Sequence, residues 1–158
     1  MPLPESVSEF IGQSTSVIFE VEKGAIARFA EAVGDPDRLY WDEEFASKSR
    51  FCSIIAPPGF FGWPEKRDVE LPNDLITIVA SLAEAGYGRI LDGGIEWEFF
   101  KPVKAGDKLT VKTSVRNIME RTGKTGKAVF LFRDITYSNR EGEIVATARQ
   151  TTIHPQTS

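Results

Sequence analysis

Four long β-rich stretches, 95–100, 108–119, 127–138 and 143–153, follow one another after Gly93 and constrain this chain more than any other feature. In the second, Leu109, Val111 and Val115 alternate with Thr110, Lys112 and Arg116, which gives one buried and one wetted face. Asn139-Arg140-Glu141-Gly142 suits a hairpin turn with glycine at its positive-φ position. Gly123-Lys124-Thr125 looks like the end of a phosphate-binding loop. Ile118, however, stands where that motif needs a glycine, and the segment joins two strands, so it reads as a second hairpin. Consecutive strands joined this way predict an antiparallel sheet.

The helices come earlier. Residues 16–22 alternate as a first strand, and Ile26, Phe29, Ala30 and Val33 then form one apolar helical face. Gly34 sits where a left-handed C-terminal cap belongs. Asp35 precedes Pro36 and is pushed out of helical geometry, so 34–41 is a loop. Asp42 caps a second short helix, with Glu43 and Glu44 at its positive end. Pro57 and Pro58 can open a helix running into Phe60 and Phe61, which Pro64 would interrupt. From 73 to 85, Leu75, Ile78, Val79, Leu82 and Ala83 share a face, and Gly86 stops it. The β-branched run Ile76-Thr77-Ile78-Val79 leaves a strand open there, but the face persists for three turns and favours helix. With no internal repeat or dividing linker, 1–158 reads as one α+β domain with its core at about 16–154, a curved sheet packed on helix.

Composition excludes several functions. A net charge of −4 and a pI near 5.1 argue against a nucleic-acid footprint. One cysteine, Cys52, cannot make an internal disulfide and points to a reducing cytoplasm. The first residues carry neither a basic region nor an apolar run, and no stretch approaches the ~20 apolar residues of a membrane span. One histidine and one cysteine make no ordinary zinc cluster, so no metal site is expected. The histidine, His154, reads as a terminal, solvent-facing residue rather than a member of a catalytic triad.

What remains is an acidic cluster, Asp35, Asp37 and Asp42, around the loop that closes the first helix. Taken alone, such residues are turn and cap formers. Their order, Gly34-Asp35-Pro36-Asp37-Arg38-Leu39-Tyr40-Trp41-Asp42 with Ala46 beyond, resembles the hydratase signature of MaoC-like dehydratases, Gly-Asp-x-Asn-Pro-x-His-x-Asp. Phe29-Ala30, the segment from Ile55-Ala56-Pro57-Pro58-Gly59 to Phe60, and the segment from Phe99 through Pro102 and Gly106-Asp107 to Leu109 are similar to that family's N-terminal dehydratase type.

The resemblance implies a hot-dog fold, an antiparallel sheet wrapped around a central helix, in a dimer of hot dogs. It implies no cofactor, and a substrate carried as a thioester on coenzyme A or acyl carrier protein. The reaction implied is reversible addition of water to an enoyl thioester, giving the (3R)-hydroxyacyl form. The family's catalytic aspartate falls on Asp35 and its histidine on Tyr40, where the match fails. An imidazole exchanges protons near neutral pH, whereas a phenol with a pKa of ~10 is a poor base. An Arg38 ion pair with Asp35 or Asp37 would lower carboxylate basicity further. Gly59 and Phe60 offer the first backbone donors for a thioester carbonyl, and Phe60, Phe61 and Trp63 can line the acyl site.

Three functions are therefore open. The chain is one subunit of a heterodimer or heterotetramer whose histidine-bearing MaoC-like partner completes the site. Alternatively, it is a self-sufficient homodimeric hydratase using Asp35 and Tyr40. Or it is a hot-dog thioesterase or a non-catalytic acyl-thioester-binding protein.

Overall fold

The computed structural model describes residues 5–60, 75–124 and 126–157. Five antiparallel strands, β1 (Ser14–Glu20), β2 (Leu91–Phe99), β3 (Lys108–Gly123), β4 (Gly126–Ser138) and β5 (Ile144–Pro155), form one sheet. Their order across it is β1-β3-β4-β5-β2. The helices are α1 (Glu5–Ser8), α2 (Lys23–Val33), α3 (Glu43–Lys48) and α4 (Leu75–Glu84).

Both predicted hairpins form. β3 and β4 pair as far as Gly123↔Gly126. The 139–142 turn closes on Gly142 N–H to Asn139 O at 3.0 Å, with the Asn139 amide donating to and accepting from Glu143. β2 departs from a simple succession of hairpins. It begins four residues earlier than its apolar pattern suggests and pairs with β5, not with β3. The connection through Pro102 and Gly106 carries the chain across the sheet before β3 starts, held by Lys104 N–H on the Asp107 carboxylate at 2.8 Å. Such pairings depend on long-range packing, which alternation along one strand does not encode.

The core has two parts. Phe19, Val21, Ile26, Ile54, Phe60, Leu109 and Tyr137 anchor one, at the end of the sheet nearest α2. The other joins Ile78 and Leu82 of α4 to Val115, Ile118, Val129 and Leu131 of the sheet. The helix favoured for 73–85 is therefore present, although Ala83 is exposed and Val79 only half-buried. Val33 also leaves the predicted face of α2 and is 59% exposed, because the chain turns away at Gly34.

His154 contradicts its sequence-based expectation. It lies in β5 paired with Val129, fully buried, with Nε2 3.0 Å from Thr152 Oγ1. The strand runs on to Pro155, and so the residue that seemed terminal belongs to the core face of the sheet. Burial pushes its pKa below the ordinary histidine value; the Tyr87 backbone pulls back, and the charge of Arg133 adds to the depression. The native state thus binds this proton less tightly than the unfolded chain does. Stability from this source is complete above about pH 6.5 and is lost as pH falls from there through the native-state value. Thermal midpoints measured between pH 7 and 5 should decline in the wild type and flatten in His154→Leu, since the chain has no other histidine. Equal slopes in the two proteins would contradict this assignment.

Candidate active site

Local geometry explains how the acidic loop is built. Gly34, at φ 73°, reverses α2, and its N–H caps the carbonyls of Ala30 and Glu31. Asp35 N–H closes the motif on Ala30 O at 2.9 Å. The half-buried Asp35 then accepts the Asp37 N–H through Oδ1 at 3.1 Å. Asp37 in turn accepts Leu39 N–H at 2.9 Å, capping a 3-10 turn over Arg38–Tyr40. Asp42 caps α3 by accepting Phe45 N–H at 3.0 Å. Each carboxylate therefore shapes backbone, as side-chain acceptors at turns and caps do.

Arg38 pairs with Asp42, not with Asp35 or Asp37. Its Nε and Nη2 donate to Asp42 Oδ2 at 3.0 and 2.6 Å, and its guanidinium lies 4.6 Å from the centre of the Phe45 ring. The spacing of four residues across a tight helical turn brings the two side chains to one side. The Phe45 N–H, with Arg38 second, holds the Asp42 carboxyl below the usual carboxylate range.

Tyr40 sits half-buried beside this loop and packs on the first core cluster. Burial raises its pKa, and the charges of Asp35 and then Asp37 add to the rise. The structure thus brings together Asp35 and Tyr40, the two residues singled out as catalytic candidates, and keeps the phenolic proton on. At neutral pH Tyr40 is a hydrogen-bond donor, not a base.

The Pro57-Pro58-Gly59 segment is a turn, and helical geometry, of the 3-10 kind, is reached only at Phe60; the rest of the expected helix lies outside the described residues. Phe60 N–H bonds Pro57 O at 3.2 Å, with Pro58 and Gly59 between them and Gly59 at φ 85°. This is the geometry of a type II turn, which favours proline and then glycine at its central positions. The Phe60 N–H is consequently occupied, which leaves Gly59 as the donor candidate. The Phe60 side chain is buried, 5.9 Å from Phe19 and 5.7 Å from Phe29 between ring centres. Phe61 and Trp63, the other proposed acyl-lining residues, lie outside the described residues. Gly59→Ala meets open space but the wrong backbone region, and should cost about 1–2 kcal/mol in chemical denaturation. An unchanged denaturation midpoint would contradict the turn.

This turn is tied to the acidic loop through Ile55 N–H to Leu39 O at 3.3 Å, and to the sheet connection through Ala56 N–H to Val103 O at 2.8 Å. Beside the 55–58 segment and the sheet connection opens a groove of about 390 Å³, walled by Phe51, Ile55, Pro58 and Phe99, with Arg50 and Lys101 among its lining and no residue of the acidic loop. Arg50 and Phe51 had no motif to mark them in the sequence; the Arg50 guanidinium lies 4.6 Å from the Phe51 ring centre. Lys101 pairs with Glu143 at 2.5 Å, and Arg116 on β3 pairs with Asp134 at 3.5 Å. Among the described residues, no group of three or more His, Cys, Asp and Glu is placed to hold a metal. No described helix is long and apolar enough to cross a membrane.

Comparison with known proteins fits this architecture. The model of the FAS1-like, dehydratase domain region matches residues 9–148. A UPF0336 protein of Saccharopolyspora erythraea is 32% identical over 155 residues, covering 97% of this chain and 92% of that protein. A probable enoyl-CoA hydratase alpha subunit of Thermomonospora curvata is 30% identical over 132 residues, 78% of this chain but 41% of that longer protein. A chain of the ChsH1-ChsH2 complex from Mycobacterium tuberculosis superposes with a TM-score of 0.80 at 17% identity, covering 98% of this chain and 96% of that one. The curved five-stranded sheet is therefore a hot-dog fold. With a matching family model over most of its length, the chain belongs to the FAS1-like, dehydratase domain region family, and it shares its fold with a MaoC-like dehydratase.

Proposed function

We propose that this chain is one subunit of an (R)-specific enoyl-thioester hydratase, or (3R)-hydroxyacyl-thioester dehydratase, completed by a histidine-bearing hot-dog partner. One observation carries the reading. The position that a MaoC-like signature gives to histidine holds Tyr40, whose phenol is kept protonated by burial and by Asp35 and Asp37. The chain's single imidazole is His154, which is enclosed on the core face of β5 while Tyr40 packs on the first core cluster.

Hydration bonds the water oxygen to the β-carbon, while the electrons of the double bond take up a proton at the α-carbon. One group must accept the water's proton and one must supply the other. In this chain Asp35 holds the loop, Tyr40 donates a hydrogen bond, and the Gly59 turn positions the thioester. Phe60, with Phe61 and Trp63, shapes the acyl end. The partner brings the imidazole. The two-component ChsH1-ChsH2 complex and the relative named as an alpha subunit support a paired assembly. The substrate is carried on coenzyme A or an acyl carrier protein and needs no further cofactor.

Reconstitution tests this reading. Mixed with a histidine-bearing hot-dog subunit from the same genome, the chain should form a defined complex that hydrates a crotonyl thioester. Release of free thiol instead of water addition would replace hydration by thioester hydrolysis.

A further inference from the structure

A buried cation interrupts the core face of the sheet. Arg133 on β4 has Leu131 and Ile135 as its neighbours along that face, and pairs with Val115 on β3 and Gln150 on β5. Leu131 and Val115 belong to the core beneath α4, and Ile135 to the cluster that holds Phe60. The guanidinium therefore stands where the two parts of the core meet. It is 7% exposed, and its Nη2 donates to Gln150 Oε1 at 2.5 Å. Beyond Gln150 the same face of β5 stays polar, with Thr152 and His154 both buried. In the other direction, toward Phe60 and Tyr40, the floor is Ile135 and Ala148, then Tyr137 and Ala146. Burial raises the Tyr137 pKa, and the charge of Arg133 pulls against that rise, so its field reaches along this floor.

We infer that Arg133, oriented by Gln150, selects the far end of the acyl chain, and that the preferred substrates are acyl thioesters ending in a second carboxylate. This rests on the acyl-thioester reading above and names the substrate class. Taking an ion out of water costs several kcal/mol, and an apolar side chain of similar volume is often as stable in its place or more so. The fold thus has no need of a cation at this position, and the proposed hydration does not use one. A guanidinium keeps its proton at any pH the protein meets, and its planar fork of N–H donors matches a carboxylate bidentately. From Tyr137 to Arg133 is four residues of strand, roughly 13 Å, so an acyl chain passing Phe60 crosses an apolar floor before it meets the charge. A methyl end offers the fork no acceptor. A site built to bond a polar group discriminates against the analogue that lacks it.

Calorimetric titration tests this with two matched pairs of coenzyme A thioesters, adipyl against hexanoyl and suberyl against octanoyl. The chain is titrated with and without the histidine-bearing subunit. Wild type should bind the dicarboxylic member of at least one pair about tenfold or more tightly than its monocarboxylic match. Arg133→Met should abolish that preference while leaving hexanoyl and octanoyl binding unchanged, which a merely structural role would not do. Arg133→Lys keeps the charge but not the fork, and should retain part of the preference. The wild-type comparison stands whether or not the methionine variant folds. Equal or reversed affinities in both pairs would overturn the proposal, as would no binding of any of the four, or a preference that survives in Arg133→Met. Hydration by the complex without a dicarboxylic preference would remove this proposal alone. A preference without hydration would remove the hydratase reading and leave Arg133 its role.

Discussion

In the reconstituted complex, replacing the partner's histidine by alanine is expected to lower hydration of a crotonyl thioester by about 10²–10⁴-fold, the usual contribution of a positioned acid–base group. Tyr40→Phe and Asp35→Asn in this chain should each stay within about tenfold of wild type. The asymmetry follows from what each group can do. A phenol whose pKa burial and two nearby carboxylates push upward keeps its proton at pH 7, so removing it forfeits a hydrogen bond but no proton exchange. Asparagine keeps the oxygen with which Asp35 accepts the Asp37 N–H, so the loop survives the substitution. Steady-state kinetics on the three variants separates the roles. A loss of a thousandfold or more in Asp35→Asn would move the chemistry back into this subunit.

The second large effect concerns the fold. Leu131 is fully buried in the cluster that joins α4 to the sheet, facing Ile78 and Leu82. Leu131→Ala should cost about 2–5 kcal/mol by chemical denaturation, through lost burial and the cavity left behind. That is a large part of the roughly 5–15 kcal/mol that holds a domain together. Ile18→Ala, at a side chain 63% exposed on β1, should change stability by no more than about 0.5 kcal/mol. Similar costs at both sites would mean that α4 does not pack on the sheet as described.

How much of this was legible in the sequence differs by element. Alternation along β3, the Asn139–Gly142 turn and the Gly34 cap are local signals, and each appears where its chemistry placed it. The pairing of β2 with β5 and the burial of His154 depend on where distant strands lie, which no local pattern encodes. At the site, the turn and cap roles of Asp37 and Asp42 follow from their neighbours. The sequence pointed Arg38 to Asp35 or Asp37; its actual choice of Asp42 follows from the tight turn between them, which only the structure shows. Gly59 was legible as a backbone feature. That it belongs to a type II turn, with the Phe60 N–H already occupied, required the structure.

In the proposed complex, proton exchange reaches this site from outside the polypeptide. The most direct measurement is mass spectrometry of a crotonyl thioester incubated in D₂O with the purified chain alone. No deuterated 3-hydroxyacyl product above the protein-free blank is expected. Steady accumulation of that product, abolished in Asp35→Asn, would contradict the claim.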